Sequence, residues 1–194
     1  MQVTARQFEI IEAAGKLLTE GGVGKLTTKA LAQEMGFSEA ALYRHFRNKE
    51  AIVTTMLTYM AEEMDARLGE TIKQSDDPAI QLKLIFETQF KFFEAHSYFV
   101  IAVFSDGLME ENEVVNSAIL KIMRVKFGHL KSIITRGQAN GAFTEAIETD
   151  EMIHIIMGTF RLLMFQWRAS NFEFELKAVG ARRLQSVYTL IRKQ

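Results

Sequence analysis

The sequence predicts an all-α protein. Several long stretches place apolar residues every three or four positions, and none alternates apolar with polar residues as a half-buried strand would. The 194 residues include a single proline. Residues that start or stop helices bound most of these stretches. Helix 1 is expected over 4–20. Thr4 and Gln7 form a capping-box pair, and Phe8, Ile11, Ala14 and Leu18 line one face beside Ile10 and Leu17. Gly21 and Gly22 stop it. Helix 2 covers 28–35, with Thr27 or Thr28 as its N-cap. Gly36 then sits where the chain must turn, a position that often needs a positive φ. Helix 3 covers 38–45 with Ser38 as N-cap. Leu31, Met35, Phe37 and Leu42 are spaced to meet in a small three-helix core, Ala32 is small where a helix crosses close by, and Phe46 anchors the end.

Asn48 caps helix 4, and Glu50 lies near its positive end. Its apolar spacing continues from Val53 through Leu68 to about residue 70. Residues 71–77 are a polar break. Asp77-Pro78 starts helix 5, over 78–95, with proline at the first helical position. A short apolar helix 6 is expected over 97–108 and helix 7 over 111–139, closed by Asn140-Gly141. Thr149 is read as the cap of helix 8, over 150–169. Ser170 and Glu173 read as a second capping box, opening helix 9 to about 191. About nine helices result.

Composition narrows the function. The chain is 48% apolar and 24% charged with a net charge of −1, so no global basic field marks a nucleic-acid binder. Residues 1–50 carry +1 and the remainder −2, so DNA-binding charge must be local to one face. With no cysteine, a disulfide scaffold, a thiolate zinc site and cysteine catalysis are excluded. That usage suits a cytoplasmic location. No signal peptide opens the chain, since Thr4 to Glu12 is polar and charged. The strongest apolar run, Tyr98 to Phe104, is too short for a bilayer, and no membrane partner is expected. Four scattered histidines have no metal-ligand spacing, and there is no glycine-rich phosphate loop or nucleophile elbow. The chain therefore does not read as an enzyme, and no cofactor, metal or catalytic residue is expected.

Residues 27–46 have the grammar of a helix-turn-helix, whose second helix can enter a DNA major groove. Thr27 and Thr28 put hydroxyl and free backbone N–H groups at the positive end of helix 2, a seat for phosphate. Lys29 belongs to the same set. Tyr43 and His45 can donate to phosphate, and Lys49 opens helix 4 with a positive charge. Base edges would be read from the exposed start and flank of helix 3. Ser38, Glu39, Ala40 and Arg44 lie there: Glu39 could accept from a cytosine amino group, Ala40 touch a thymine methyl and Arg44 take guanine.

The first sixty or so residues resemble the TetR family of bacterial transcriptional regulators. The features that carry the resemblance are an initial helix ending in Gly-Gly-Val, Leu26-Thr27-Thr28, Leu31-Ala32, Met35-Gly36-Phe37-Ser38, and Leu42-Tyr43-Arg44-His45-Phe46 followed by Asn48-Lys49-Glu50. One departure is Ala40, where many members carry glycine. The resemblance implies a DNA-binding domain over 1–48, extending to about 64 when helix 4 is included. It implies a regulatory and dimerisation domain over 49–194. It also implies phosphate roles for the residues named above, a double-stranded operator and a homodimer. Helices 4 to 8 would enclose a pocket for a small, lipophilic effector. Phenylalanine and methionine are abundant, at 15 and 10 residues, and suit either a filled core or such a pocket. Met60, Met64, Phe86, Gln89, Phe90, Phe104, Met123, Phe127 and Phe160 are its candidate lining. Helices 8 and 9 would form the dimer interface, through Ile156, Phe160, Leu163, Met164, Trp167, Leu184, Val187 and Ile191. The resulting expectation is a repressor released from a palindromic operator by its ligand. The alternative is a DNA-bound adaptor that recruits a protein and senses no small molecule.

Overall fold

The structure is a computed structural model and describes residues 3–104 and 113–193. Among the described residues there are nine helices: α1 (Ala5–Lys25), α2 (Thr28–Glu34), α3 (Glu39–Tyr43), α4 (Lys49–Ile72), α5 (Pro78–Ala95), α6 (Tyr98–Phe104), α7 (Glu113–Ala139), α8 (Thr149–Ala169) and α9 (Leu176–Ile191). None is long and apolar enough to cross a membrane. The ends expected for helices 6 and 7, at 105–108 and 111–112, lie outside the described residues.

Local chemistry sets most of these boundaries. The Thr4 hydroxyl accepts from the Gln7 N–H while the Gln7 side chain takes the Thr4 N–H, completing the capping box. Gly21 and Gly22 leave helical geometry, so α1 breaks there and resumes for one turn. Asn48 Oδ1 accepts from the Ala51 N–H at 2.8 Å, and Asp77 Oδ1 from the Ala79 N–H at 2.7 Å, opening α4 and α5. Two expected caps are corrected. Thr149 is the first residue of α8, not its cap, and its hydroxyl donates to Gln138 Oε1 at 2.6 Å. Ser170 and Glu173 do not open a helix. Ser170 closes α8 and donates its hydroxyl to the Trp167 carbonyl. Asn171 and Phe172 follow at φ 53° and 64°, which no helix continues through, so α9 starts only at Leu176.

The chain forms two compact units. The first comprises residues 1–63 and 96–123. Ile10, Ile11, Leu18, Leu31, Leu42 and Met56 are among its fully buried side chains. Phe8, expected on the buried face of α1, is more than a third exposed and meets Tyr59 edge-on at 5.5 Å. The close approach of α6 to α1 depends on Gly15. A Cβ there would stand 2.7 Å from the Tyr98 ring. The Tyr98 hydroxyl donates to Glu12 Oε1 at 2.6 Å; burial, helped by that carboxylate, pushes its pKa well up.

The second unit comprises residues 64–95 and 124–194. Phe86, Phe90, Met152, Met164 and Ile191 fill its interior. The loop after α7 is tied to the end of α9 by a β-bridge between Phe143 and Arg192 and by the Thr144 N–H donating to the Ile191 carbonyl at 2.7 Å. In α4, by contrast with Gly15, nothing lies within 4 Å of a Cβ built at Gly69.

These two glycines predict opposite results. Gly15→Ala crowds the Tyr98 ring and costs about 1–3 kcal/mol of overpacking. Gly69→Ala removes backbone freedom from a helix interior and gains about 1 kcal/mol. Urea unfolding of both variants beside the parent measures the pair.

Candidate nucleic-acid interface

The site is built on α3, which has only five residues. One side is held inside: Leu42 is buried, and Phe46 follows it into the core. Gly36 takes φ +66° at the turn from α2, a conformation that disfavours any side chain. The Ser38 hydroxyl then accepts from the Ala41 N–H at 3.2 Å and caps α3. Thr27 caps α2 in the same way, accepting from the Ala30 N–H at 3.0 Å.

The other side of the motif faces solvent. Thr27, Lys29, Ser38, Glu39, Ala40, Tyr43 and Arg44 are exposed, while Thr28, His45 and Lys49 are half-buried. Tyr43 is 48% exposed although its neighbour Leu42 is buried, so its phenol stands away from the core. Every residue expected at the nucleic-acid face thus remains accessible.

Three features of this face lie beyond the sequence reading. The Thr28 hydroxyl donates to Glu39 Oε2 at 2.9 Å, linking the start of α2 to the start of α3. A carboxylate therefore stands at the end of α2 where the free N–H groups favour an anion. Gln7 Nε2 donates to the His45 carbonyl at 3.3 Å, tying α1 to the end of the motif. Arg47 is a further exposed cation between Phe46 and Asn48. A helix-turn-helix pattern carries no signal for the first two, because both join residues more than ten positions apart.

The residues expected around an effector divide between the two units. Phe86, Phe90 and Phe160 do come together in the second, with ring centroids 5.5–6.2 Å apart. Gln89 and Met64 are buried in that unit, whereas Met60 is buried in the first. Phe104 and Phe127 are half-buried. Met123 is exposed and cannot line an interior pocket in this arrangement. A separate groove of about 500 Å³ runs between α5, α8 and α9, lined by Ile80, Leu82, Phe90, Ile156, Leu184, Val187 and Tyr188 among others. Only Phe90 of the expected pocket residues reaches it.

The expected dimer stripe is corrected as well. Ile156, Phe160, Leu163, Met164, Trp167, Val187 and Ile191 are buried inside the lone protomer, and Leu184 lines the groove. Apart from the half-buried Leu184, they leave little surface for a second copy. The apolar side chains that α8 presents to solvent are Ile155, Leu162 and Phe165, and α9 adds Leu190.

Two family models divide the chain. Residues 10–56 match the bacterial regulatory proteins of the tetR family. Residues 57–193 match the C-terminal region of YsiA-like proteins. The chain belongs to the TetR family of bacterial regulators. It is a DNA-binding transcriptional regulator. Among its relatives is the nucleoid occlusion factor SlmA of Vibrio vulnificus, 23% identical over 171 residues that cover 88% of this chain and 87% of that one. The fold is shared with the fatty acid degradation regulator FadR of Bacillus halodurans, at a TM-score of 0.87 and 19% identity, with 97% of each chain covered. It is also shared with FadR of Bacillus subtilis, solved in complex with stearoyl-CoA, at a TM-score of 0.82 and 22% identity over 93% of this chain and 97% of that one.

The caps of this TetR-family motif predict a stability effect separable from DNA contact. Ser38→Ala removes the acceptor for the Ala41 N–H and costs about 1 kcal/mol. Thermal unfolding of the DNA-free protein reads that loss directly, and Ser38→Asn restores most of it.

Proposed function

We propose that this regulator is a cytoplasmic repressor that binds a palindromic operator as a homodimer and is released by a small lipophilic ligand. The observation that carries the DNA half is the division of α3: Leu42 is buried, and Ser38, Ala40, Tyr43 and Arg44 face solvent. A helix this short meets only a few base pairs, so two copies are needed for a specific site. Recognition helices of such dimers lie about 34–36 Å apart, one turn of DNA. Thr27, Thr28, Lys29, Tyr43, His45 and Lys49 take phosphate. Ser38, Ala40 and Arg44 read base edges, and Glu39 accepts from a cytosine amino group once it leaves Thr28.

The aromatic interior of the second unit and the adjoining groove support the ligand half. FadR of Bacillus subtilis, which shares this fold, holds stearoyl-CoA in its structure. The mechanism is a population shift. The free dimer keeps its two α3 helices at DNA spacing, and the ligand favours a packing of the regulatory helices that tilts α4 and loses that spacing. A coupling of about 1–3 kcal/mol changes operator affinity roughly 5- to 150-fold. The second copy docks on the face of α8 that carries Ile155, Leu162 and Phe165, since isologous pairing of two such faces buries what one protomer leaves in water.

A second reading is a DNA-bound adaptor that recruits a protein. Two observations favour it: the filled interior around Phe86 and Phe90, and the similarity to the nucleoid occlusion factor SlmA. Operator affinity measured with and without lipophilic ligands separates the two. A ligand that binds and leaves the affinity unchanged supports the adaptor.

Duplex from the gene's own upstream region is retarded in gel-shift assays, and log K falls with log salt at about 0.9 per phosphate neutralised. Lys49→Ala lowers that slope by about 0.9 per subunit. Glu39→Gln tightens binding by removing a carboxylate from the phosphate seat. A salt-insensitive affinity, or no retardation, overturns the reading. In sedimentation experiments the parent runs as a dimer, and the double variant Leu162→Glu, Phe165→Glu runs as a folded monomer.

A further inference from the structure

In the second unit, Lys126 Nζ and Gln89 Nε2 have no hydrogen-bond partner among the described residues. Lys126, on α7, is 6% exposed. Its Nζ lies 2.9 Å from the centroid of the Phe160 ring and 5.5 Å from that of Phe86. Among the described residues it makes no hydrogen bond and no ion pair. Burial alone acts on its pKa and pushes it well below the ordinary lysine value, with no carboxylate to offset the effect. Gln89, on α5 one turn beyond Phe86, is 1% exposed, and its Nε2 has no acceptor.

Aromatic rings attract an ammonium weakly and offer nothing comparable to an oxygen acceptor. A methionine at 126 and a leucine at 89 would pack beside Phe86, Phe90 and Phe160 without leaving a polar group unpaired. Buried donors without partners call for an explanation, and a missing acceptor supplies one for both.

Charge restricts what that acceptor is. A neutral ligand would offer the buried amine no charge to pair with, whereas an anion would favour its protonated form. A dianion would bring a second negative charge that one lysine does not balance. A monoanion closes the balance, and a carboxylate supplies strong acceptor oxygens. The surroundings specify the rest of the molecule. Phe160 stacks on Phe90 at a centroid distance of 5.9 Å, and Phe90 lines the apolar groove with Ile80, Leu82 and Val187. Aliphatic chain suits those walls, and the groove's volume of about 500 Å³ falls within the range of small-molecule sites.

We propose that Lys126, assisted by Gln89, binds the carboxylate of an aliphatic acid whose chain lies against Phe86, Phe90 and Phe160. This rests on the reading of the second unit as the effector-binding part. Lys126 is the charge reader, and the aromatic rings hold the chain.

The test uses the full-length protein and a matched pair of probes, dodecanoate below its micellar concentration and the neutral 1-dodecanol, followed by titration calorimetry. Dodecanoate binds the parent about ten- to a hundredfold more tightly than dodecanol, as a charge-assisted hydrogen bond would give. Lys126→Met removes that preference and leaves dodecanol binding at or above the parent level. The same variant raises the melting temperature of the ligand-free protein, since a buried amine without a partner is gone. Gln89→Leu weakens dodecanoate by a smaller factor. The proposal is overturned if acid and alcohol bind the parent equally, or if Lys126→Met binds the acid as the parent does. If dodecanol binds and dodecanoate does not, this proposal falls and the lipophilic-effector reading stands. If neither binds the parent, both fall.

Discussion

A helix of five residues does not persist in water by itself, because the cost of nucleating it exceeds what so few backbone hydrogen bonds return. α3 therefore exists only as far as its surroundings hold it, and the burial of Leu42 with Phe46 is the interaction that does so. The remaining devices of the motif adjust its position. Gly36 sets the turn at a φ of +66°, Ser38 accepts from the Ala41 N–H, and Gln7 reaches from α1 to the His45 carbonyl. Loss of the buried anchor would scatter Tyr43, Arg44 and the capped end of α3 whatever their own chemistry. The first unit, with Tyr98 strapped to α1 through Glu12, is the frame for that small element.

The Thr28–Glu39 bond adds a constraint of another kind. It joins the two ends of α2 and α3 that a DNA backbone would approach in the proposed function, so in the free protein a carboxylate stands where that reading seats a phosphate. Binding then exchanges one acceptor for another. An exchange of this type leaves phosphate contact less favourable than the positive end of α2 would suggest, and it makes the contribution of Glu39 depend on which base pair is offered to it.

What the sequence made legible follows the range of the physics. Thr4 with Gln7, Ser38, Asn48 and Asp77 with Pro78 were readable because a cap and its partner lie within four residues. Ser170 and Glu173 have the same local pattern, yet Trp167 decides the outcome. Its carbonyl takes the Ser170 hydroxyl and the Phe172 N–H, and the chain is held in a turn. The inner and outer faces of α8 were not distinguishable either. Both are apolar, and a 3.6-residue period shows that stripes exist without saying which one packs inward. Ile156, Leu163 and Met164 face in; Ile155, Leu162 and Phe165 face out. The accessibility of the expected nucleic-acid residues was legible for the opposite reason, since the spacing between caps, turn and aromatic anchor leaves each of them one accessible side.

Two features of the second unit contradict a simple folding logic. An apolar face of α8 is left in water, and Lys126 and Gln89 are taken out of it. Each arrangement costs stability, and exceptions of this kind are expected where a protein binds something. Two helices have residues in both units. α4 starts at Lys49, at the nucleic-acid face, and ends at Ile72 within the second unit; α7 carries Lys126 three residues past Met123, the last residue of the first. At a rise of about 1.5 Å per residue, α4 is a stiff rod of roughly 36 Å. In the proposed mechanism, a ligand acid that reorders the rings around Lys126 would act on α7, and a shift of α4 at its second-unit end would carry along that helix to Lys49.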